Sequence, residues 1–99
     1  MVLIKQEAHA DALAAYMYYE EKQPGLGQRF LTELARCYQQ LAVHPSANSF
    51  IAADPLKVLR DIKVERFPYV VVYELIGQEV IVYAVHNTYK HPGGKLRRL

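Results

Sequence analysis

A single cysteine, Cys37, stands in a chain of 99 residues, so no internal disulfide can form, and a small secreted domain would carry several. A reducing, cytoplasmic setting is the expectation. Long apolar stretches are also missing. The run from Tyr69 to Tyr73 is far below the roughly 20 residues that span a bilayer, and the opening MVLIKQEAHA lacks the apolar core of a signal peptide; no membrane partner is expected. No GxxxxGK[ST] or GxGxxG run occurs, and the paired Gly93-Gly94 lie in the tail and not between a strand and a helix, which removes the usual nucleotide cradles. One cysteine and four scattered histidines give neither CxxC nor HExxH spacing, so no metal and no cofactor is expected. With only five prolines and five glycines, the chain does not have the composition of a disordered or fibrous protein.

What remains is enough for one modest core. Hydrophobic residues make up 52% of the chain, and its length suits one domain over residues 1–99, not two. The net charge of +2 hides a division. Residues 1–56 carry four Lys/Arg against six Asp/Glu, whereas residues 57–99 carry eight against four. From Lys90 onward there are four cations (Lys90, Lys95, Arg97, Arg98) and no acid. Such a tail suits an anionic partner, nucleic acid or an acidic protein, or serves only as a solvated end.

Hydrophobic periodicity orders the elements. Val2 to Ile4 fits a brief strand. From Glu7 to Lys22, Leu13, Tyr16, Met17 and Glu20 recur at helical spacing, and Gln23-Pro24-Gly25 stops the pattern. A second helix starts near Gly27, with Phe30, Leu34, Tyr38 and Leu41 on one stripe, and ends at His44-Pro45. The short loop between them predicts an antiparallel helical hairpin. After a turn-rich segment the period drops to two. Val58, Arg60, Ile62 and Val64 share one face of a strand, and YVVVYELI (69–76) and VIVYAV (80–85), apolar on both sides, flank a Gly77-Gln78 turn as a central hairpin. The predicted architecture is α+β, in the order β-α-α-β-β-β.

The candidate functional residues fall on the strands and the tail. Arg60 sits among apolar neighbours, where a guanidinium is costly unless it is satisfied; it either pairs with an acid on a helix or stands as a fixed cation facing phosphate. Tyr69 and Tyr73 share a face, and Tyr83 and Tyr89 follow on the odd positions of the next strand. Eight tyrosines and no tryptophan suit either core filling or stacking at a target surface. His86 follows Val82 and Ala84 on the even-numbered face at the end of the last strand, where a group titrating near neutrality suits general acid–base work or a backbone hydrogen bond. Cys37 reads as a buried small hydrophobe. The expectation is that the helical hairpin covers one side of the sheet and leaves Arg60, His86 and the basic terminus together on the other.

Arg60, then Arg66-Phe67-Pro68-Tyr69 leading into VVVYEL, then IVYAVHNTYKHP and a terminal RRL resemble the RelE/ParE toxin superfamily over nearly the whole length. ParE-like members often carry an FPY strand ending in Tyr, an A-V-x-H-x-x-R-x-P segment and a late Trp-x-x-Arg. Phe67, Pro68, Tyr69, Tyr73, Ala84, Val85, His86, Pro92 and Arg98 match that pattern. Lys90 stands where arginine is usual and loses its two-pronged grip, and Lys95 or Leu96 stands where a tryptophan is often found.

The resemblance implies a helical hairpin packed on a mostly antiparallel, curved sheet, and a plasmid-stabilisation toxin neutralised by a cognate antitoxin. ParE-like members poison DNA gyrase by binding. RelE-like members cleave mRNA on the ribosome; there Arg60 would steady phosphate charge while Tyr73 or His86 moved protons, and Tyr69, Tyr89, Lys90, Lys95, Arg97 and Arg98 would line the contact with target or nucleic acid. A toxin-like module that only binds is a third reading. An exposed sheet edge or apolar helix surface would be covered by antitoxin or by a second copy in a homodimer.

Overall fold

The computed structural model describes residues 1–89. In chain order it contains β1 (Val2–Ile4), α1 (Gln6–Lys22), α2 (Leu26–Val43), a 3-10 turn (Pro45–Ala47), β2 (Leu59–Val64), β3 (Tyr69–Ile76) and β4 (Glu79–Asn87). This is the α+β order that the periodicity predicts. The strands form one sheet in the order β1-β4-β3-β2. β1 runs parallel to β4, while the β2–β3 and β3–β4 pairs are antiparallel.

The hairpin between α1 and α2 is held by a device at its corner. Gly25 takes φ +90°, a left-handed conformation that glycine adopts without a Cβ penalty. As the N-cap of α2 it has no side chain to offer the free N–H groups of the first turn. Glu20 of α1 reaches across instead: its carboxylate accepts from Gly25 N–H at 2.9 Å and from Gly27 N–H at 3.0 Å. Its negative charge also sits at the positive end of the α2 dipole, where α2 has no acid of its own. At Gly27 the helices nearly touch. A Cβ there would fall 2.6 Å from the Tyr16 carbonyl oxygen and 2.8 Å from the Tyr16 ring.

α2 buries Phe30, Leu34, Cys37 and Leu41, a spacing of four, three and four that makes one stripe. That stripe meets Ile62, Val64, Val71, Tyr73, Val80, Val82 and Val85 of the sheet. At one end the core is aromatic. Phe30 lies 5.2 Å from the Phe67 ring and 5.0 Å from the Tyr69 ring, both edge-on, and Tyr19 lies 4.9 Å from Phe67. Burial pushes the Cys37 thiol up to about 11, and its Sγ–H donates to the Lys63 carbonyl at 3.4 Å. The small-hydrophobe reading of this cysteine therefore agrees with its setting, and the contact also covers part of the outer edge of β2.

The opposite side of the sheet has a smaller cluster of Ile51, Val72 and Ala84, flanked by Leu59 and Val70. Ile51 arrives on a loop pinned by Asp54, whose carboxylate accepts from the N–H groups of Leu56, Val58 and Leu59 at 3.1, 2.9 and 2.8 Å. The Leu59 hydrogen bond leads in holding this carboxyl below its ordinary range. Phe50 and Ile51 then pair with the start of β2 through the Phe50–Arg60 bridge and Ile51 N–H to Leu59 O at 2.8 Å. Among the described residues, no helix is long and apolar enough to cross a membrane.

One irregularity positions everything at the far end of β4. The register passes from Val72↔Ala84 to Tyr73↔Val82, so Tyr83 is an extra residue, a β-bulge. Before it, Val80 and Val82 face the helices. After it, Val85 faces them and Ala84 and His86 turn away. The expectation that Val82, Ala84 and His86 share one face is thus corrected: a single extra residue inverts the alternation.

Candidate functional site

Arg60 pairs directly with Tyr73 across β2 and β3, on the helix-covered side. What satisfies it is backbone, not an acid. Its Nη1 donates to the Asn48 carbonyl at 2.6 Å and to the Ser46 carbonyl at 3.4 Å, and its guanidinium lies 4.0 Å from the centre of the Phe50 ring. The buried Nε has no hydrogen-bond partner among the described residues. Tyr73 is fully buried; its hydroxyl donates to Pro45 O at 2.6 Å and accepts from Asn48 Nδ2 at 3.1 Å. Burial pushes that hydroxyl above its ordinary value, against the opposing pull of Asn48 and Arg60. Together Arg60, Tyr73 and Asn48 latch the segment after α2 onto the end of the sheet.

His86 is elsewhere. It pairs with Val70, which pairs with Lys63, and directly opposed residues share a face. The row Lys63–Val70–His86 therefore lies on the side away from the helices. The expectation that Arg60 and His86 stand together on the uncovered face is overturned, because Arg60 keeps the parity of Ile62 and Val64 while the bulge sends His86 outward. Lys63 curls back, its Nζ donating to Val64 O and Phe67 O at 3.1 Å each, and this ties down the turn before β3.

The tyrosines divide as well. Tyr69 is 8% exposed, inside the aromatic cluster, with its hydroxyl raised chiefly by burial, so it is a core residue and does not line a contact surface. Tyr83 is half-buried on the open face and donates to Glu74 Oε1 at 2.8 Å, a bond that raises its hydroxyl. Tyr89 is 82% exposed. The strand end that carries it is fixed by Thr88, whose N–H and Oγ1–H both donate to Pro68 O, at 2.8 and 3.1 Å. Lys90, Lys95, Arg97 and Arg98 lie outside the described residues.

Three acids take on roles that their spacing in the sequence does not announce. Glu20 caps α2, and Asp54 pins the loop. Asp11 accepts from Val85 N–H at 2.9 Å. β1 pairs only with residues 80–82 of β4, so Val85 has no strand neighbour on that side and a side chain from α1 stands in. Only Asp54 carries a sequence signal, an Asp-Pro pair of the kind that starts turns. The others depend on tertiary contacts. Among the described residues, no group of His, Cys, Asp and Glu could hold a metal ion.

Comparison with known proteins agrees with this architecture. The sequence profile of the ParE toxin of the type II toxin–antitoxin system parDE matches residues 2–89. No curated protein matches the chain in sequence. A solved chain of a chromosomal ParDE toxin–antitoxin system from P. aeruginosa has the same fold, with a TM-score of 0.74 over 87% of this chain and 92% of that one, at 18% identity. With a two-helix hairpin on a β1-β4-β3-β2 sheet and a family match over residues 2–89, the chain belongs to the ParE toxin family.

Proposed function

We propose that this chain is a growth-inhibiting toxin that works by binding DNA gyrase and does not cleave RNA. The observation that carries this reading is the separation of the groups a nuclease would have to bring together. Ribose 2′-hydroxyl attack on a phosphate needs a base, an acid and a cation around one phosphorane. Here Tyr73 is sealed in the core, with its hydroxyl donating to Pro45 O. Arg60 is committed to backbone carbonyls beside it, and His86 lies through the sheet from both. A binding poison requires no such constellation.

The contact surface in this proposal takes in His86 near the end of β4 and Tyr89 just past it, and the cations that follow in sequence, Lys90, Lys95, Arg97 and Arg98, add positive charge to it. Tyr89 offers an exposed ring one position before the first of them in sequence, and aromatic and cationic side chains together suit a macromolecular anchor. A cognate antitoxin is the partner that restrains it, in the cytoplasm.

Purified toxin is to be assayed in parallel for inhibition of gyrase supercoiling and for mRNA cleavage on translating ribosomes. Inhibition without cleavage is the expected result, and cleavage without inhibition would reject the reading. The expected effect of Arg60→Ala sharpens it. The variant loses toxicity together with thermal stability because the latch opens, while Tyr89→Ala weakens toxicity with an unchanged melting temperature.

A further inference from the structure

The outer face of α1 is apolar, although nothing among the described residues covers it. Leu13 and Met17 are each 58% exposed, and Ala10 and Ala14 beside them are exposed too. Ala10, Leu13 and Met17 recur at three and four residues, the seam spacing by which one helix seats another, and the seam points directly away from the core-facing Ala8 and Ala15. A surface helix of a monomer is polar on that side. The seam is bounded at each end by an exposed acid, Glu7 and Glu21, which are 14 residues and so roughly 21 Å apart on a helix.

Those two acids decide the occupant. In an antiparallel pairing of α1 with a second copy centred on the seam, Glu7 of each copy meets Glu21 of the other; in a parallel pairing, each meets its own equivalent. Like charges face one another either way, and such juxtaposition selects against self-pairing. A helix with cations at both ends of its own apolar seam meets opposite charge at both ends.

We infer that the outer face of α1 is a docking surface for an amphipathic helix of the cognate antitoxin, with an apolar seam flanked by Lys or Arg at a spacing of about 14 residues. This rests on the antitoxin reading of the partner. It adds a surface that is distinct from the basic tail and of opposite electrostatic sign, so a single antitoxin would present basic charge to α1 and acidic charge to the C-terminus.

The test uses the full toxin and the antitoxin encoded beside it, with affinity measured by calorimetry at low and high salt. Leu13→Ser/Met17→Ser is expected to weaken binding at least tenfold with an unchanged melting temperature. Glu7→Lys/Glu21→Lys is expected to weaken it several-fold at low salt and to lose the salt dependence. Unchanged affinity in a folded Leu13→Ser/Met17→Ser variant overturns the docking surface while leaving the antitoxin reading intact. Failure of the wild-type pair to bind overturns both. Sedimentation of the toxin alone separates the remaining case: a wild-type dimer that the serine variant dissolves assigns the face to a second copy and overturns the proposal.

Discussion

The two helices lie side by side and differ by one residue in length, 17 and 18, yet they spend their apolar residues differently. α2 sends Phe30, Leu34, Cys37 and Leu41 into the core and leaves its opposite side polar. α1 buries only two small residues, Ala8 and Ala15, and leaves Leu13, Met17 and Tyr18 more than half exposed. Its buried alanines occupy little volume, and the missing side chain of Gly27 lets Tyr16 close on α2, so α1 contributes mainly position and α2 contributes burial. Tyr19 alone among its large side chains reaches the aromatic cluster, and a helix that leaves Leu13, Met17 and Tyr18 facing outward has a surface its own fold does not use.

That contrast can be broken most forcefully from the α2 side. Phe30→Ala removes the ring at the centre of the aromatic cluster and is expected to cost about 3–5 kcal/mol, read by denaturant unfolding; a loss below 1 kcal/mol would mean that the core does not depend on α2 as described. Gly27→Val forces a side chain into the Tyr16 contact and should cost about 1–3 kcal/mol, visible as a lower melting temperature with native helix content. A smaller effect concerns pH. Cys37 holds its proton more tightly in the folded chain, because burial raises its thiol from 9.0 to about 11. Its contribution is therefore complete below pH 9 and drains away as pH climbs towards 11. Cys37→Ala should flatten the decline of melting temperature over that window, and an unaltered slope would remove the thiol from the account. Leu13→Ala on α1 sets the lower end, with a change under about 0.5 kcal/mol in the isolated toxin.

The element order was readable because two periods, 3.6 and two, leave different marks on a sequence. The inward stripe of α2, the corner at Gln23-Pro24-Gly25 and the shared face of Tyr69 and Tyr73 all come from such spacing. The site was less legible, for three separate reasons. Val80, Val82 and Ala84 look like one uninterrupted alternation, and nothing in the residue types announces that Tyr83 is a bulge. The apolar setting of Arg60 points to an acid as its partner, but a guanidinium is also satisfied by carbonyls such as those of Ser46 and Asn48, a group that every residue carries. Tyr69 and Tyr73 do share a face, but a tyrosine pattern does not say whether that face looks inward; only the position of α2 decides that.

The bulge at Tyr83 has a bearing on how this chain tolerates change. It acts as a half-step in the weave of β4, setting the segment beyond it in the opposite phase to the segment before it. Deleting that one residue would leave an unbroken alternation with Ala84, Val85 and His86 on the faces they hold now, whereas drawing the bulge straight with Tyr83 kept in the ladder would carry His86 towards the helix-covered side and Val85 out into water. The bulge, more than the identity of any side chain along this strand, determines which groups the toxin presents to the outside.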